Sequence, residues 1–306
     1  MSHKKMLQCS MGALLLLLPW FGGLVLGEIS KDFSQCLDFF YKKTPPAGIP
    51  AEGYQPICQR YQNQYRFASL YHREHRSPLY SAYILSPPDG KRPKSTWMFE
   101  PQLAYPTNGS DEMQHQFAGL QFHNLKESQA MDDDYKNSNF TRGHLNPSMH
   151  QKTEQDRNAT FTLTNIVPQQ KGSNSGPWEK LEEKVLKQFN KYCNGTMYVI
   201  TGVVPYKPDN PDQHLMKHRV SVPEYMWSAY CCTSLKSKLE TPDRNAFPTY
   251  AAVGRNDHNS TNEFVNGTIS KKGYDVKRMS LGELEEILRQ RLGGGTITLF
   301  HDQCKQ

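Results

Sequence analysis

Short segments rich in β-branched and aromatic residues constrain the fold of this chain more than any other feature of its sequence. Loops rich in Pro, Gly, Asn and Asp separate them, which is typical of strands joined by turns. Two further segments, 176–193 and 280–294, have apolar residues at helical spacing. Because strands and helices do not alternate regularly, the sequence predicts an α+β fold with a mostly antiparallel central sheet flanked by helices. The predicted strands are residues 81–85, 160–165, 197–204, 225–232, 249–253 and 296–300.

The first 27 residues are typical of a secretory signal peptide. Lys4 and Lys5 precede an apolar run, Met11–Leu26, that is too short to span a bilayer comfortably. We expect cleavage after Gly27, and no later segment has the run of apolar residues that a second anchor would need. The sequence therefore predicts a secreted protein with no stable membrane anchor.

Six of the seven cysteines lie beyond this leader, and an even number favours up to three disulfide bonds in a secreted protein. On a strand, the adjacent Cys231 and Cys232 would point to opposite faces, so we expect each to bond to a different partner. The pairing is otherwise open. The turn-rich stretch 28–64 carries two cysteines, and it is predicted to be a disulfide-tethered N-terminal extension of a main domain over 65–306. The six cysteines are Cys36, Cys58, Cys193, Cys231, Cys232 and Cys304.

Sites for N-linked glycosylation are more frequent than chance would give, which also fits a protein of the secretory route. The six N-x-S/T sequons begin at Asn108, Asn139, Asn158, Asn194, Asn259 and Asn266. The chain is mildly basic, because 36 Lys and Arg, two of them in the leader, stand against 30 Asp and Glu. That balance permits a polyanionic partner without requiring one.

The tripeptide Arg142-Gly143-His144 carries residue types that suit a phosphodiester. A histidine can take a proton from water near neutral pH, an arginine can bind phosphate oxygens in a bidentate way, and a glycine leaves room for a bulky group. We would expect such activity to fall as His144 becomes protonated below about pH 6.5. The same tripeptide also fits a polar loop with a solvated histidine, and nearby His150 is expected at the surface.

Two further residues are candidates by position. Glu182 falls inside the apolar stripe of the first predicted helix, where a carboxylate is costly unless it is paired. It either bonds to an arginine or backbone amide or faces a cleft and serves a site. Asn165 ends a strand-like run; it is either a turn residue or a neutral oxygen ligand of the kind that Mg²⁺ accepts. His214 and His218 fit a solvated loop better than a zinc pair.

Three segments together resemble the DNA/RNA non-specific endonucleases, the ββα-metal nucleases that include endonuclease G. The family pattern is roughly D-R-G-H, then T/S-N-x-x-P-Q, then N-x-x-x-W-x-x-L-E. This chain has TRGH at 141–144, TNIVPQ at 164–169 and NSGPWEKLE at 174–182. Weaker similarity extends the resemblance over about 65–290, and FFYKKTPPAG and ATFTLTN are similar to the endonuclease domain-containing 1 group.

The resemblance implies a role for each matching residue. His144 would be the general base on the attacking water, Asn165 the protein ligand of a Mg²⁺ (or Mn²⁺) ion, and Glu182 the carboxylate that orients metal-bound water. Arg142 would lie near the phosphate, and Asn174 near the metal shell. The implied substrate is DNA or RNA, cleaved with little sequence specificity.

Two departures from the family pattern stand beside these matches. Thr141 replaces the aspartate, and it completes the sequon of Asn139. An arginine that the family places before its W-x-x-D/E-P motif is out of register, with Arg92 and Lys94 the nearest cations.

These departures leave a second hypothesis, a catalytically weak or inactive nuclease-like glycoprotein that acts as a binding or scaffold module. A third, an extracellular disulfide-bonded module without a nucleic-acid role, leaves the position of Glu182 unexplained. DNA or RNA preference and oligomeric state are open.

Overall fold

The structure is a computed structural model that describes residues 29, 31–50, 52–115, 122–207, 214–236, 246–256, 260–266 and 274–305. The predicted signal peptide and the sequon at Asn259 lie outside the described residues.

Thirteen strands are present in the described part of the chain. They are β1 (Tyr54–Tyr61), β2 (Gln64–His72), β3 (Ser77–Leu85), β4 (Met98–Phe99), β5 (Gln114–His115), β6 (Phe140–His144), β7 (Ile166–Gln170), β8 (Met197–Val204), β9 (Leu215–Met216), β10 (Val220–Ser221), β11 (Tyr225–Cys232), β12 (Thr249–Arg255) and β13 (Val276–Met279). The α-helical segments are α1 (Pro101–Ala104), α2 (Phe122–Ser128), α3 (Asp132–Tyr135), α4 (Glu154–Ala159), α5 (Lys171–Ser173), α6 (Glu179–Tyr192) and α7 (Leu281–Leu292).

Seven of these strands form one sheet in the order β1-β2-β3-β8-β11-β12-β13. Every neighbouring pair in it is antiparallel. The long apolar runs 197–204 and 225–232 become its adjacent central strands, where both faces are covered and their side chains are almost all buried. The predicted α+β class with a mostly antiparallel sheet is confirmed.

Both helices predicted from periodicity are present. In α6 the apolar stripe, including Leu181, Val185 and Tyr192, is buried in the main core against the sheet. Before α7, Ser280 and Glu283 form the expected reciprocal cap, in which Ser280 Oγ accepts from the Glu283 amide and Glu283 Oε2 accepts from the Ser280 amide at 2.8 Å.

Two predicted strands are wrong. Residues 160–165 contain a short 3-10 helix, Leu163–Asn165, because Thr162 and Thr164 turn inward and donate to the buried carboxylate of Glu100 at 2.7 and 3.0 Å. Residues 296–300 make only a single bridge, at Thr298.

Three disulfides join the six cysteines as Cys36–Cys58, Cys193–Cys232 and Cys231–Cys304. The expectation that Cys231 and Cys232 bond to different partners is confirmed. Cys36–Cys58 ties the N-terminal stretch to β1, which itself pairs with β2 as the edge of the main sheet. The predicted boundary at residue 64 falls at the start of β2.

A smaller two-stranded sheet, β6 with β7, is not hydrogen-bonded into the main sheet and carries the Arg-Gly-His tripeptide at its end. The chain then passes through the single turn of α5 and an irregular π-type turn, Asn174–Trp178, before entering α6. Two short strands and a helix thus bring three separate sequence segments together. Among the described residues, no helix is long and apolar enough to cross a membrane.

Candidate active site

A cleft of about 310 Å³ opens where the end of β6, the turn Asn174–Trp178 and the start of α6 meet the loop after β3. Its lining combines cations, carboxylates and neutral polar groups, so it can receive a charged ligand. The charged and polar side chains in this lining include Arg92, Arg142, His144, Asn174, Glu179 and Glu182.

His144 is the last residue of β6, and its ring packs between Trp97 and Phe161 with centroids 5.3 and 5.2 Å away. Burial, helped by the positive charge of Arg92, lowers the pKa of His144 to about 3, against a hydrogen bond to the Arg142 backbone. Nε2 has no hydrogen-bond partner among the described residues. The ring is therefore neutral near pH 7, with one nitrogen free to take a proton.

Glu182 lies in the first turns of α6 and lines the cleft, so the placement that the second of its two interpretations required is present. The residue is half-buried. Burial, helped by the neighbouring Glu179 and opposed by Arg92, raises its pKa to about 8. A carboxylate so disfavoured in its charged form would gain from a cation in the same cleft.

Asn174 reaches the cleft from the turn before α6 and is half-buried. Its amide nitrogen donates to the Thr141 hydroxyl at 2.9 Å and approaches the Arg142 carbonyl oxygen at 3.5 Å. Its amide oxygen makes no hydrogen bond with any described residue. An uncommitted neutral oxygen in a cleft that also holds a carboxylate is a ligand of the kind that Mg²⁺ accepts.

Asn165, by contrast, is not brought to the cleft. It is fully buried, and its amide oxygen accepts from the Ser81 hydroxyl and the Asn146 amide, each at 3.0 Å. Its amide nitrogen donates to the carbonyl oxygens of Asn146 and Thr160 at 3.0 and 2.9 Å. All the hydrogen-bonding capacity of the side chain is used within the protein, so the predicted metal ligation by Asn165 does not fit this position.

Arg142 lies in the wall of the cleft, but its charge is partly satisfied there. Its guanidinium is 2.5 Å from the Asp132 carboxylate and lies 5.7 and 5.3 Å from the ring centroids of Trp97 and Tyr135. Gly143 provides close approach to a protein group rather than to a ligand, because a Cβ there would lie 2.7 Å from Cβ of Gln169.

Arg92 is the cleft residue that the sequence left undecided. It is exposed, and its guanidinium lies 5.1 Å from the ring centroid of Phe161. Its charge lowers the pKa of both His144 and Glu182, so it stands close to both groups. The sequence pointed to this residue only through the family arginine that is out of register here, and it did not favour Arg92 over Lys94 as the replacement. In the structure Lys94 does not line the cleft.

The other histidines have structural positions. His150 is buried rather than exposed, which corrects the expectation from sequence. His214 stacks on Tyr206 with ring centroids 3.5 Å apart, and His218 is exposed. Among the described residues, no group of three or more His, Cys, Asp or Glu side chains could hold a metal ion.

The sequons differ in accessibility. The asparagines at 108, 139, 194 and 266 are exposed, whereas Asn158 is half-buried in α4.

Comparison with known proteins gives the same family as the motifs. Residues 46–279 match the family model of the DNA/RNA non-specific endonucleases. Endonuclease domain-containing 1 protein of Homo sapiens is 32% identical over 226 residues, covering 73% of this chain and 44% of that protein; the Mus musculus protein has the same values. Nuclease EXOG, mitochondrial, of Xenopus laevis is 32% identical over 172 residues, or 55% of this chain and 46% of that protein.

The chain spans less than half the length of these curated relatives. Among solved structures, a crystal structure of the complex of EndoG with EndoGI is similar at a TM-score of 0.49 and 18% identity, covering 78% of this chain and 84% of that one. A likeness at that level does not bear on function. The match over 46–279 is sufficient by itself: the chain belongs to the DNA/RNA non-specific endonuclease family.

Proposed function

We propose that this protein is a secreted, divalent-cation-dependent endonuclease that hydrolyses phosphodiester bonds of DNA or RNA with little sequence specificity. The observation that supports the proposal most is the meeting of three groups in one cleft. These are a neutral imidazole with an unpartnered nitrogen at His144, an uncommitted amide oxygen at Asn174 and the carboxylate of Glu182.

In this mechanism His144 is the general base. Its lowered pKa keeps the ring unprotonated, and the free Nε2 takes a proton from a water molecule as the water oxygen attacks phosphorus. The new P–O bond forms as the bond to the 3′ oxygen breaks, which leaves a 5′-phosphate end as in the family. The hydrogen bond between the ring and the Arg142 backbone sets the orientation of the imidazole.

The cleft fits a hard divalent cation such as Mg²⁺ or Mn²⁺. Asn174 would supply the protein ligand, in place of the predicted Asn165, and Glu182 would accept hydrogen bonds from water molecules around the ion. One amide and one carboxylate suit Mg²⁺, which keeps most of its waters. When bound, the cation supplies Lewis-acid stabilisation of the negative charge that develops on phosphate and leaving group.

Two arginines would neutralise the phosphate unequally. Arg92 is exposed at the cleft and free to move onto a phosphate, whereas Arg142 must share its charge with Asp132. Both address the phosphate rather than base edges, and phosphate contacts carry no direct sequence information. Low sequence specificity follows.

The disulfides and the sequons support the proposed secretion. Three disulfides are typical of proteins from oxidising compartments, and four of the sequons are on exposed asparagines.

The second candidate function is a nuclease-like glycoprotein that binds without cleaving. The observation in its favour is the ion pair of Arg142 with Asp132, together with Thr141 in place of the family aspartate. It requires that the neutral His144 and the cleft-facing Glu182 have no chemical use.

A nicking assay on supercoiled plasmid and on structured RNA separates the two. The protein, purified with its disulfides oxidised, is assayed with Mg²⁺, with Mn²⁺ and with EDTA. We expect cleavage that EDTA abolishes and that His144→Ala reduces by about 100-fold or more, while His218→Ala, at an exposed histidine, leaves it intact. Intact nucleic acid across pH 5–9 with either ion would contradict the proposal, and so would full activity in His144→Ala.

A further inference from the structure

The hydroxyl of Thr141 makes two hydrogen bonds that link β7 to the turn before α6. It donates to the backbone carbonyl oxygen of Gln169 at 2.7 Å, across the β6–β7 pair. It also lies 2.9 Å from the amide nitrogen of Asn174. Thr141 therefore joins the strand that carries His144 to the asparagine that shares its cleft.

The direction of this chain of hydrogen bonds is fixed by chemistry. A carbonyl oxygen only accepts, so the single hydroxyl proton of Thr141 is used on Gln169. The hydroxyl oxygen can then only accept from Asn174, which requires the NH₂ group of the amide on that side. The second neighbour of that NH₂ group, the Arg142 carbonyl oxygen at 3.5 Å, is also an acceptor only. The flipped amide, with its oxygen against two acceptors, is excluded.

We propose that Thr141 is a positioning residue for the cation site: its hydroxyl fixes the Asn174 amide so that the oxygen, and not the NH₂ group, is presented to the cleft. This inference rests on the proposed function, since it assigns the amide oxygen to a divalent cation. The Thr141 hydroxyl orients the amide by a neutral hydrogen bond, whereas the aspartate of the family pattern would add a negative charge at this position. It leaves Glu182 and Glu179 as the acidic side chains lining the cleft.

The proposal separates orientation from bulk. Thr141→Val has nearly the same shape but can neither accept from Asn174 nor donate to Gln169, whereas Thr141→Ser keeps both capacities. Thr141 also completes the sequon of Asn139, so its removal would change glycosylation. All variants are therefore made in an Asn139→Gln background, which removes the glycan from an exposed position while keeping the hydroxyl.

The decisive comparison is a double-mutant cycle with Asn174→Asp. A carboxylate presents an oxygen to the cleft in either orientation, and the Thr141 hydroxyl can turn its proton from Gln169 to the other carboxylate oxygen, so Asp at this position has no need of Thr141 to orient it. We expect Thr141→Val to weaken Mn²⁺ binding about tenfold when residue 174 is asparagine, the size of one lost hydrogen bond. In the Asn174→Asp background the same change should alter binding less than about twofold, and Thr141→Ser should bind as the parent does.

Binding is measured by electron paramagnetic resonance of free Mn²⁺ without nucleic acid, so the result does not depend on cleavage. Asn174→Ala should lose the Mn²⁺ bound in the cleft and so identifies the binding event that is measured. Thermal melting confirms that each variant is folded. Equal weakening in both backgrounds, or none in either, would overturn the role of Thr141 even if the protein cleaves nucleic acid. Absence of Mn²⁺ binding by the parent would overturn it as well. If the cycle holds but plasmid and RNA stay intact, the positioning role stands and the nuclease proposal fails.

Discussion

His150 Nε2 lies 3.0 Å from the backbone carbonyl oxygen of Glu182 and fixes the start of α6 against the segment after β6. Because a carbonyl oxygen only accepts, Nε2 carries the hydrogen, and Nδ1 accepts from the Tyr83 hydroxyl at 2.9 Å. The ring is therefore held as one neutral tautomer beneath the cleft. Burial lowers the pKa of His150 to about 4.

This arrangement predicts a loss of stability in mild acid. Above pH 6.5 His150 is neutral in both states, whereas between pH 6.5 and 4 only the unfolded chain binds the proton, so the free energy of unfolding falls as the pH is lowered. A shift of that size corresponds to at most about 3 kcal/mol. In His150→Gln, which does not titrate, we expect lower stability at pH 7 but a flatter decline toward pH 4, measured by urea unfolding at each pH.

His218→Gln is the matched control, because it makes the same substitution at an exposed histidine. Some slope will persist in His150→Gln, since burial also lowers the pKa of His72 to about 4 and of His144 to about 3. If the free energy of unfolding of His150→Gln declines with pH as steeply as that of the unmodified protein, His150 is not held neutral in the folded state.

Two asparagines should give opposite phenotypes. Asn165→Ala removes a hydrogen-bond partner from four groups in the core, of which the Ser81 hydroxyl keeps Ser69, and we expect it to lower the free energy of unfolding by about 2–5 kcal/mol. Asn174→Ala removes a half-buried side chain, so it should cost less than about 1 kcal/mol while lowering cleavage by about 100-fold. Urea unfolding and nicking rates, measured on both variants, test the assignment. An Asn165→Ala protein that is stable but inactive would return the metal ligand to Asn165.

Arg92 should control the pH dependence of cleavage. An unperturbed histidine would become protonated between pH 6.5 and 5, and kcat/KM would fall over that range. Because the pKa of His144 is lowered to about 3, we expect kcat/KM to stay constant there. Arg92 contributes to that lowering, so Arg92→Gln should raise the pKa of His144, move the acid limb to higher pH and also reduce kcat/KM. Lys94→Gln removes the same charge from the same loop but away from the cleft. An acid limb that does not move in Arg92→Gln would contradict this coupling.

The spacing of apolar residues along the sequence predicted the strands and helices that depend only on that spacing. The central strands β8 and β11 and both long helices were visible in the sequence, since each needs only the spacing of its own apolar residues. Residues 160–165 have the composition of a strand but turn inward, because their threonines bond to a carboxylate some sixty residues away. A propensity cannot anticipate a partner so distant in the chain.

The candidate site divides in the same way. His144 and Glu182 were identifiable because one lies in a distinctive tripeptide and the other breaks an apolar stripe. The sequence could not decide between Asn165 and Asn174 as the cation ligand, because both belong to recognisable motifs. Only the hydrogen bonds of Asn165 to Ser81 and Thr160 show that its amide is occupied within the protein. Arg92 was ambiguous for a similar reason, since a loop with no regular spacing gives no register.

Gly143 provides a last contrast between sequence and structure. The sequence suggested a glycine that makes room for substrate, whereas a Cβ at this position would lie 2.7 Å from Cβ of Gln169, whose side chain is held by a 3.0 Å hydrogen bond to Ser173. Gly143→Ala should therefore lower stability by about 1–3 kcal/mol and, by displacing the adjacent His144, reduce kcat/KM. Gly282→Ala, in the first turn of α7 with nothing within 4 Å, should instead stabilise by about 0.5–1 kcal/mol. Thermal melting and nicking rates test both, and a Gly143→Ala variant that is stable and fully active would show that Gln169 yields and that the glycine serves no close contact.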